Sequence, residues 1–226
     1  VEAVVDRHSP WKALRYRKFE AATKREAVLR EAARTFNEKG FHSTSVDEIA
    51  ERLHVTKPTL YYYFRSKEEI LYECLLRGLS ELEDVADAAL IAAGTGRERL
   101  IAVMHAYSGI VLGDFGYTTV HVGQDPLNAQ RRTQARRVER RVAHKLQKLI
   151  AAGIEDGSIA RCDPKIMAST FAGALNWMTR WYRPGGPLNA DEITQRCIEL
   201  LLTGFVPRDE SGKAVVREPR SRSRRA

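Results

Sequence analysis

Three observations predict an all-α fold. Apolar residues recur at intervals of three and four along nearly the whole chain, with no sustained alternation of period two. Signatures of the form Ser/Thr-x-x-Glu recur at Thr23, Ser45 and Ser66, where a hydroxyl satisfies a helix-terminal N–H and a carboxylate reaches back to the cap. Glycine and proline stand where helices stop or start: Gly40 just past one segment, Pro58 and Pro164 in the first turn of others. No strand is predicted.

In chain order, Thr23 and Glu26 open a first helix over Lys24 to Lys39, with Leu29, Ala32, Ala33 and Phe36 on one face and Gly40 suited to a left-handed stop. Ser45 and Glu48 open a short second helix, Val46 to Leu53, that buries Val46, Ile49, Ala50 and Leu53. "HVT" turns the chain. Thr56 then caps a third helix of about two turns from Lys57, where Pro58 is tolerated because a first-turn N–H has no intrahelical acceptor. Ser66 with Glu69 caps a fourth, from Lys67 to about Ala92. A basic helix over Ala129 to Gly153 follows, with Ala135, Val138, Val142, Leu146, Leu149 and Ile150 as its apolar stripe. Asp163 caps and Pro164 opens a helix whose large face is Met167, Phe171, Ala174, Trp177 and Trp181. Asn189 with Glu192 caps a last helix with Ile193, Cys197, Leu200 and Leu201 along a stripe. "Gly94-Thr95-Gly96" lacks the lysine and spacing of a phosphate loop and reads as an interhelical turn.

With 226 residues and 43% hydrophobic composition, the chain has material for a small domain and a larger one. No apolar run reaches the roughly 18 residues of a membrane span, and Val1 to Arg25 is too charged for a secretory signal, so a cytoplasmic place and no membrane partner are expected. Three widely separated cysteines, Cys74, Cys162 and Cys197, indicate neither a disulfide framework nor a zinc site and read as thiols in apolar surroundings. No metal or cofactor is expected. Motifs such as H-E-x-x-H, G-x-S-x-G or a nucleotide loop are absent and the six histidines have no ligand or triad spacing, which argues against an enzyme. The net charge of +8 points to a polyanionic partner, although part of it lies in a basic N-terminal arm, residues 1–22, and a basic tail, residues 208–226, both expected to be flexible.

Two short helices joined by a three-residue turn and preceded by a packing helix have the geometry of a helix-turn-helix, whose second helix enters the major groove. On that helix Leu60 and Phe64 fall four apart and pack inward, so Tyr61, Tyr62 and Tyr63 cover much of the remaining circumference. A phenol offers an apolar body to sugar and thymine methyl and a hydroxyl to phosphate, and Lys57 and Lys67 bracket the three with charge.

The stretch "EAARTFNEKGFHSTSVDEIAERLHVTKPTLYYYFRSKEEIL" resembles the N-terminal DNA-binding domain of the TetR/AcrR family of bacterial transcriptional regulators, over about Thr23 to Leu75. Where the family often has glycine and histidine, this chain has Pro58 and Tyr63. The resemblance implies phosphate contacts from Thr44, Lys57, Tyr61 and Lys67, backbone contacts beside capping from Ser45 and Thr56, and base-edge or thymine-methyl contacts from Thr59 and Tyr62, with Tyr63 also at the DNA face. It divides the chain into a helix-turn-helix domain, residues 23–72, and an all-α effector-binding and dimerisation domain, residues 73–207. It further implies a homodimer on a palindromic double-stranded operator, paired through the two C-terminal helices, and a ligand-responsive repressor.

"GALNWMTRWYRPGGPLNADEI" more narrowly resembles members of that family that respond to acyl-coenzyme A thioesters of fatty-acid or steroid breakdown. Asn176 with Arg180 and Trp177 with Trp181 lie one turn apart, Arg183, Gly185 and Gly186 are suited to phosphates or adenine, and Met104, Tyr107, Ile110 and Val111 are expected in the pocket wall. The tryptophans serve equally well as interface core. The arginine-dense run from Arg131 to Lys148 exceeds what pairing with Glu139 balances and is a candidate for a phosphorylated effector. A drug- or metabolite-responsive efflux regulator, a constitutive DNA-binding protein and an acyl-thioester enzyme are the competing readings.

Overall fold

The computed structural model describes residues 20–204; the expectations for the N-terminal arm before residue 20 and for the tail lie outside them. Among the described residues there are nine helices and no strand: α1 Glu20–Lys39, α2 Val46–Arg52, α3 Lys57–Tyr63, α4 Lys67–Ile91, α5 Gly96–Leu112, α6 Asp114–His121, α7 Ala129–Glu155, α8 Pro164–Trp181 and α9 Ala190–Thr203.

Local chemistry accounts for most boundaries. Ser45, Ser66, Asn128, Asp163 and Asn189 each accept a first-turn N–H of the helix they precede. Gly40, at φ +80°, closes α1 with its N–H on the Phe36 carbonyl at 2.8 Å. Two expectations are corrected. Helix α1 starts at Glu20, so Thr23 lies inside it rather than capping it. Thr56 stands at the cap position of α3 but accepts no helix N–H; its hydroxyl shares a 2.9 Å hydrogen bond with that of Thr59. In the other direction, Thr95 is more than a turn residue, because it forms a full capping box with Glu98 at the start of α5. There α5 meets α7 with no side chain between them: a Cβ on Gly96 would overlap Gly153.

Two apolar clusters share α4. Phe36, Ile49, Leu60 and Phe64 pack with Leu71 and Leu75 in the first, which also takes in Phe115 of α6 and Ala135 of α7. Leu82, Ala86 and Ala89 continue α4 into the second, among α5, α7, α8 and α9. The N-terminal module therefore has no core of its own that ends at residue 72. Cys74 is buried there, Cys197 is half-buried and Cys162, against expectation, is exposed. Helices α8 and α9 turn part of their apolar stripes outward: Ile166 is 66% exposed, Trp177 64% and Leu200 58%, while Phe171 and Ile193 face the core.

Candidate nucleic-acid interface and effector cavity

Helix α3 sorts its aromatic residues by face. Leu60 and Phe64 are fully buried, Tyr61 is 45% exposed and Tyr62 82%. Tyr63 is half-buried against the N-terminal core, edge-on to Tyr62 with ring centroids 5.0 Å apart. Lys57 is exposed at the start of α3 and its Nζ is 2.7 Å from Asp47 Oδ2, which holds the ammonium pKa above its usual value. Ser45 caps α2 through the Glu48 N–H at 3.0 Å. Thr59 is half-buried beside Thr56. Lys57, Thr59, Tyr61 and Tyr62 thus share one short, solvent-facing helix.

Two expected phosphate contacts point elsewhere. Thr44 is buried, and its hydroxyl donates to the Gly40 carbonyl at 2.8 Å, closing the loop between α1 and α2. Lys67 turns inward: Nζ donates to the carbonyls of Phe41 and Thr44, both at 2.7 Å, and sits 4.3 Å from the centre of the Phe41 ring. Burial pushes its pKa down. The physical reason is that these carbonyls have no helical partner, so a cation on the first turn of α4 satisfies them and ties that helix to the loop.

Sequence reasoning misses Arg25. Its guanidinium donates to the Tyr63 carbonyl at 2.7 Å, pairs with Glu73 and lies 4.3 Å from the Phe64 ring centre, joining α1, α3 and α4. Its partners stand 38 to 48 residues away, so no local pattern signals it.

The second half encloses a cavity of about 350 Å3. Leu79 and Leu82 of α4, Tyr107 and Val111 of α5, Thr119 of α6, Val142 and Leu146 of α7, and Ala168, Ala172 and Asn176 of α8 line it. The Tyr107 hydroxyl donates to Asn176 Oδ1 at 3.1 Å, and burial pushes its pKa up to about 12. Glu139 is the one charged lining residue, and its Oε2 accepts from Gln124 Nε2 at 3.0 Å.

Of the expected effector residues, Tyr107, Val111 and Asn176 meet at this cavity. Met104 lines a separate apolar pocket of about 310 Å3 with Leu100 and Phe171, and Ile110 packs half-buried against the second core. Trp177, Arg180, Trp181, Arg183, Gly185 and Gly186 are exposed and outside the cavity. Each residue of an α-helix turns about 100° from the last, so Trp177 faces solvent where Asn176 faces inward. Arg183 Nη1 donates to the carbonyls of Arg180 and Tyr182, and Gly185 at φ +80° makes the turn that follows.

The arginine-dense α7 is also corrected in part. Arg141 is bidentate to Glu83 at 2.8 and 3.0 Å, Lys145 bridges Glu83 and Asp87 at 2.9 and 2.6 Å, and Arg131 pairs with Glu68 at 3.3 Å. Acids on α4, distant in sequence, balance charges that i,i+4 spacing leaves over. The Arg141 guanidinium, with Lys145, holds the Glu83 carboxyl down at about 2.

Both halves match known protein families. Residues 28–74 match the family model "Bacterial regulatory proteins, tetR family", and residues 93–205 match "Tetracyclin repressor-like, C-terminal domain". The HTH-type transcriptional repressor KstR2 of Mycobacterium tuberculosis is 30% identical over 197 residues, spanning 81% of this chain and 93% of its own. The structure of that protein, described as a ketosteroid transcriptional regulator, superposes with a TM-score of 0.68 at 26% identity over 80% of this chain and 94% of its own. PfmR of Thermus thermophilus, a TetR family transcriptional regulator, gives a TM-score of 0.71 at 33% identity over 79% of this chain and 98% of its own. AibR, solved in complex with isovaleryl coenzyme A and operator DNA, shares the fold, with a TM-score of 0.70 at 24% identity over 78% and 97%. Helix-turn-helix and cavity domain alike therefore have the same parentage, and the chain belongs to the TetR family, whose members are DNA-binding transcriptional regulators and not enzymes.

Proposed function

We propose that the chain is a homodimeric cytoplasmic repressor that is released from a palindromic operator when the acyl group of a coenzyme A thioester enters the cavity. One observation carries this reading: the helix that forms the cavity wall is the helix that anchors the DNA-binding module. Leu79 and Leu82 line the cavity, and Lys67 and Glu73 on the same α4 hold the α1–α2 loop and Arg25. At 1.5 Å per residue, Lys67 and Leu82 are roughly 22 Å apart along one rod. A ligand that displaces the cavity end of α4 moves the recognition helix.

Such a ligand acts only through a difference in affinity between the DNA-bound and released states. The apolar walls suit an acyl group. The carrier's phosphates remain outside, where Arg136 and Arg140 are exposed one turn from the lining residues Glu139 and Ala143. KstR2 and AibR, whose descriptions mention ketosteroid and isovaleryl coenzyme A, support that class of effector. On the DNA, Tyr61, Tyr62, Lys57 and Thr59 supply contacts, and the exposed faces of α8 and α9 pair two copies so that their recognition helices enter half-sites about one helical turn apart.

The test is fluorescence anisotropy on an operator selected from random duplexes, at fixed moderate salt. Acyl-coenzyme A thioesters with straight, branched and ring acyl groups are then titrated in. At least one is expected to release the DNA while free coenzyme A does not. Retention of the DNA throughout contradicts the thioester reading. A second reading, an uncharged hydrophobic metabolite or drug, is favoured by the cavity's single charge being a carboxylate.

A further inference from the structure

Asn176 is a polar residue of the cavity wall with donors left over, as are Gln147 and Ser169, and it differs from them in being hydrogen-bonded to a buried phenol. Its Oδ1 accepts the Tyr107 hydroxyl proton at 3.1 Å, and Tyr107, nearly fully buried, stays protonated far above neutral pH. In this orientation the Tyr107 O–H donates to the amide oxygen and Nδ2 turns the opposite way. The two Nδ2 hydrogens have no acceptor among the described residues. Val111, Leu146 and Ala172 give the same cavity apolar surface, and Thr119, Glu139, Gln147 and Ser169 are its other polar lining residues. Asn176 is half-buried on α8, one turn from exposed Gly173 and Arg180, and so stands between the interior of the cavity and the protein surface. A leucine here would seal the wall and suit the helix better.

Resting on the reading of the effector as an acyl thioester, we infer that Asn176 is the specificity residue that receives the thioester carbonyl, with Tyr107 holding its amide in the donating orientation. The alkyl part then extends inward towards Leu79 and Leu82 and the sulfur points outward to the carrier. An amide donor in a mostly apolar wall discriminates strongly, because a ligand lacking the acceptor leaves it unpaired and desolvated. Tyr107 also lines the cavity, but towards the carbonyl it is a positioning residue that acts through Asn176.

The experiment pairs each acyl-coenzyme A with its S-alkyl thioether, in which a methylene replaces the carbonyl and the rest is unchanged. Operator release is followed by anisotropy with the full chain, using the acyl group that releases at the lowest concentration. For the unaltered protein the thioether is expected to need about tenfold more ligand or above. Asn176→Ala brings thioester and thioether to within about threefold of each other, mainly by weakening the thioester. Tyr107→Phe narrows the gap partway. Ligand-free operator affinity and melting temperature identify a variant that has lost its fold; Asn176→Asp, of matching size with no amide donor, then repeats the comparison. Equal potency of thioester and thioether on the unaltered protein overturns the inference and leaves the effector class intact. Discrimination that survives in Asn176→Ala or Asn176→Asp also overturns it, since the carbonyl is then read elsewhere. Absence of release by every thioester removes the reading beneath the inference, and the inference with it.

Discussion

Among the described residues, large aromatic side chains are exposed in two places, and they differ in chemistry. On α3 the outward rings are the phenols Tyr61 and Tyr62, beside Lys57 and its partner Asp47. On α8 they are the indoles Trp177 and Trp181, accompanied by exposed Ile166 and by Leu200 of α9. A phenol keeps a hydroxyl in water and meets a wet, polyanionic surface well. Indole rings set among aliphatic side chains gain most by being covered, as the core of a protein interface is. On the proposed reading, one surface meets the operator and the other a second copy, which gives each a separate way to fail.

The largest effect is expected at the interface. Replacing Trp177 and Leu200 together by glutamate is predicted to turn dimer into monomer by sedimentation or native mass measurement. Because one helix-turn-helix reads only a half-site, operator affinity falls by about 100-fold or more. An unchanged mass would mean that these residues do not form the interface.

Next come changes at the DNA face, where mass should stay the same. Tyr62→Ala with Lys57→Ala is predicted to weaken operator binding by roughly 10- to 100-fold, and Lys57→Ala alone to reduce the slope of log affinity against log salt by about 1. Asp47→Asn, which frees Lys57 and removes a carboxylate from the same face, is expected to tighten binding a few-fold. An unaltered salt slope in Lys57→Ala would place its ammonium away from phosphate.

A smaller effect tests the link between the two regions. Glu83 pins α4 to Arg141 and Lys145 of α7, and its carboxyl is depressed from 4.5 to about 2. A depressed acid stabilises the fold above its ordinary pKa, and the contribution drains away as pH falls through the folded value. Glu83→Gln is therefore expected to lower stability by about 1–2 kcal/mol at pH 6, after allowance for screening at the exposed Arg141. In denaturant titrations the gap to the unaltered protein should close between pH 4.5 and about 2. A gap that does not change with pH would show that Glu83 acts through packing and not charge.

The two regions also differ in how plainly sequence reveals them. The helix-turn-helix is specified locally: Ser45 and Ser66 sit within three residues of the N–H groups they cap, and Leu60 and Phe64 are one turn apart. Even there, sequence does not distinguish Lys57 from Lys67, because what turns Lys67 inward is a pair of carbonyls 23 and 26 residues earlier. The cavity is assembled by five helices that cross. Spacing tells which residues share a face of α8 but not which face meets α5 and α7, so it groups Asn176 and Trp177 where the fold separates them. The acids on α4 that balance the arginines of α7 are hidden for the same reason: their pairing spans about 60 residues.

The most direct test of the whole account is to fill the cavity without touching the DNA face. Ala172→Phe puts a ring into the space beside Asn176. In an anisotropy titration with an effector that releases the unaltered protein, this variant is expected to hold the operator with near-normal affinity and to need at least about tenfold more effector for release. Release at the same effector concentration as the unaltered protein would contradict the claim that this cavity controls the grip on DNA.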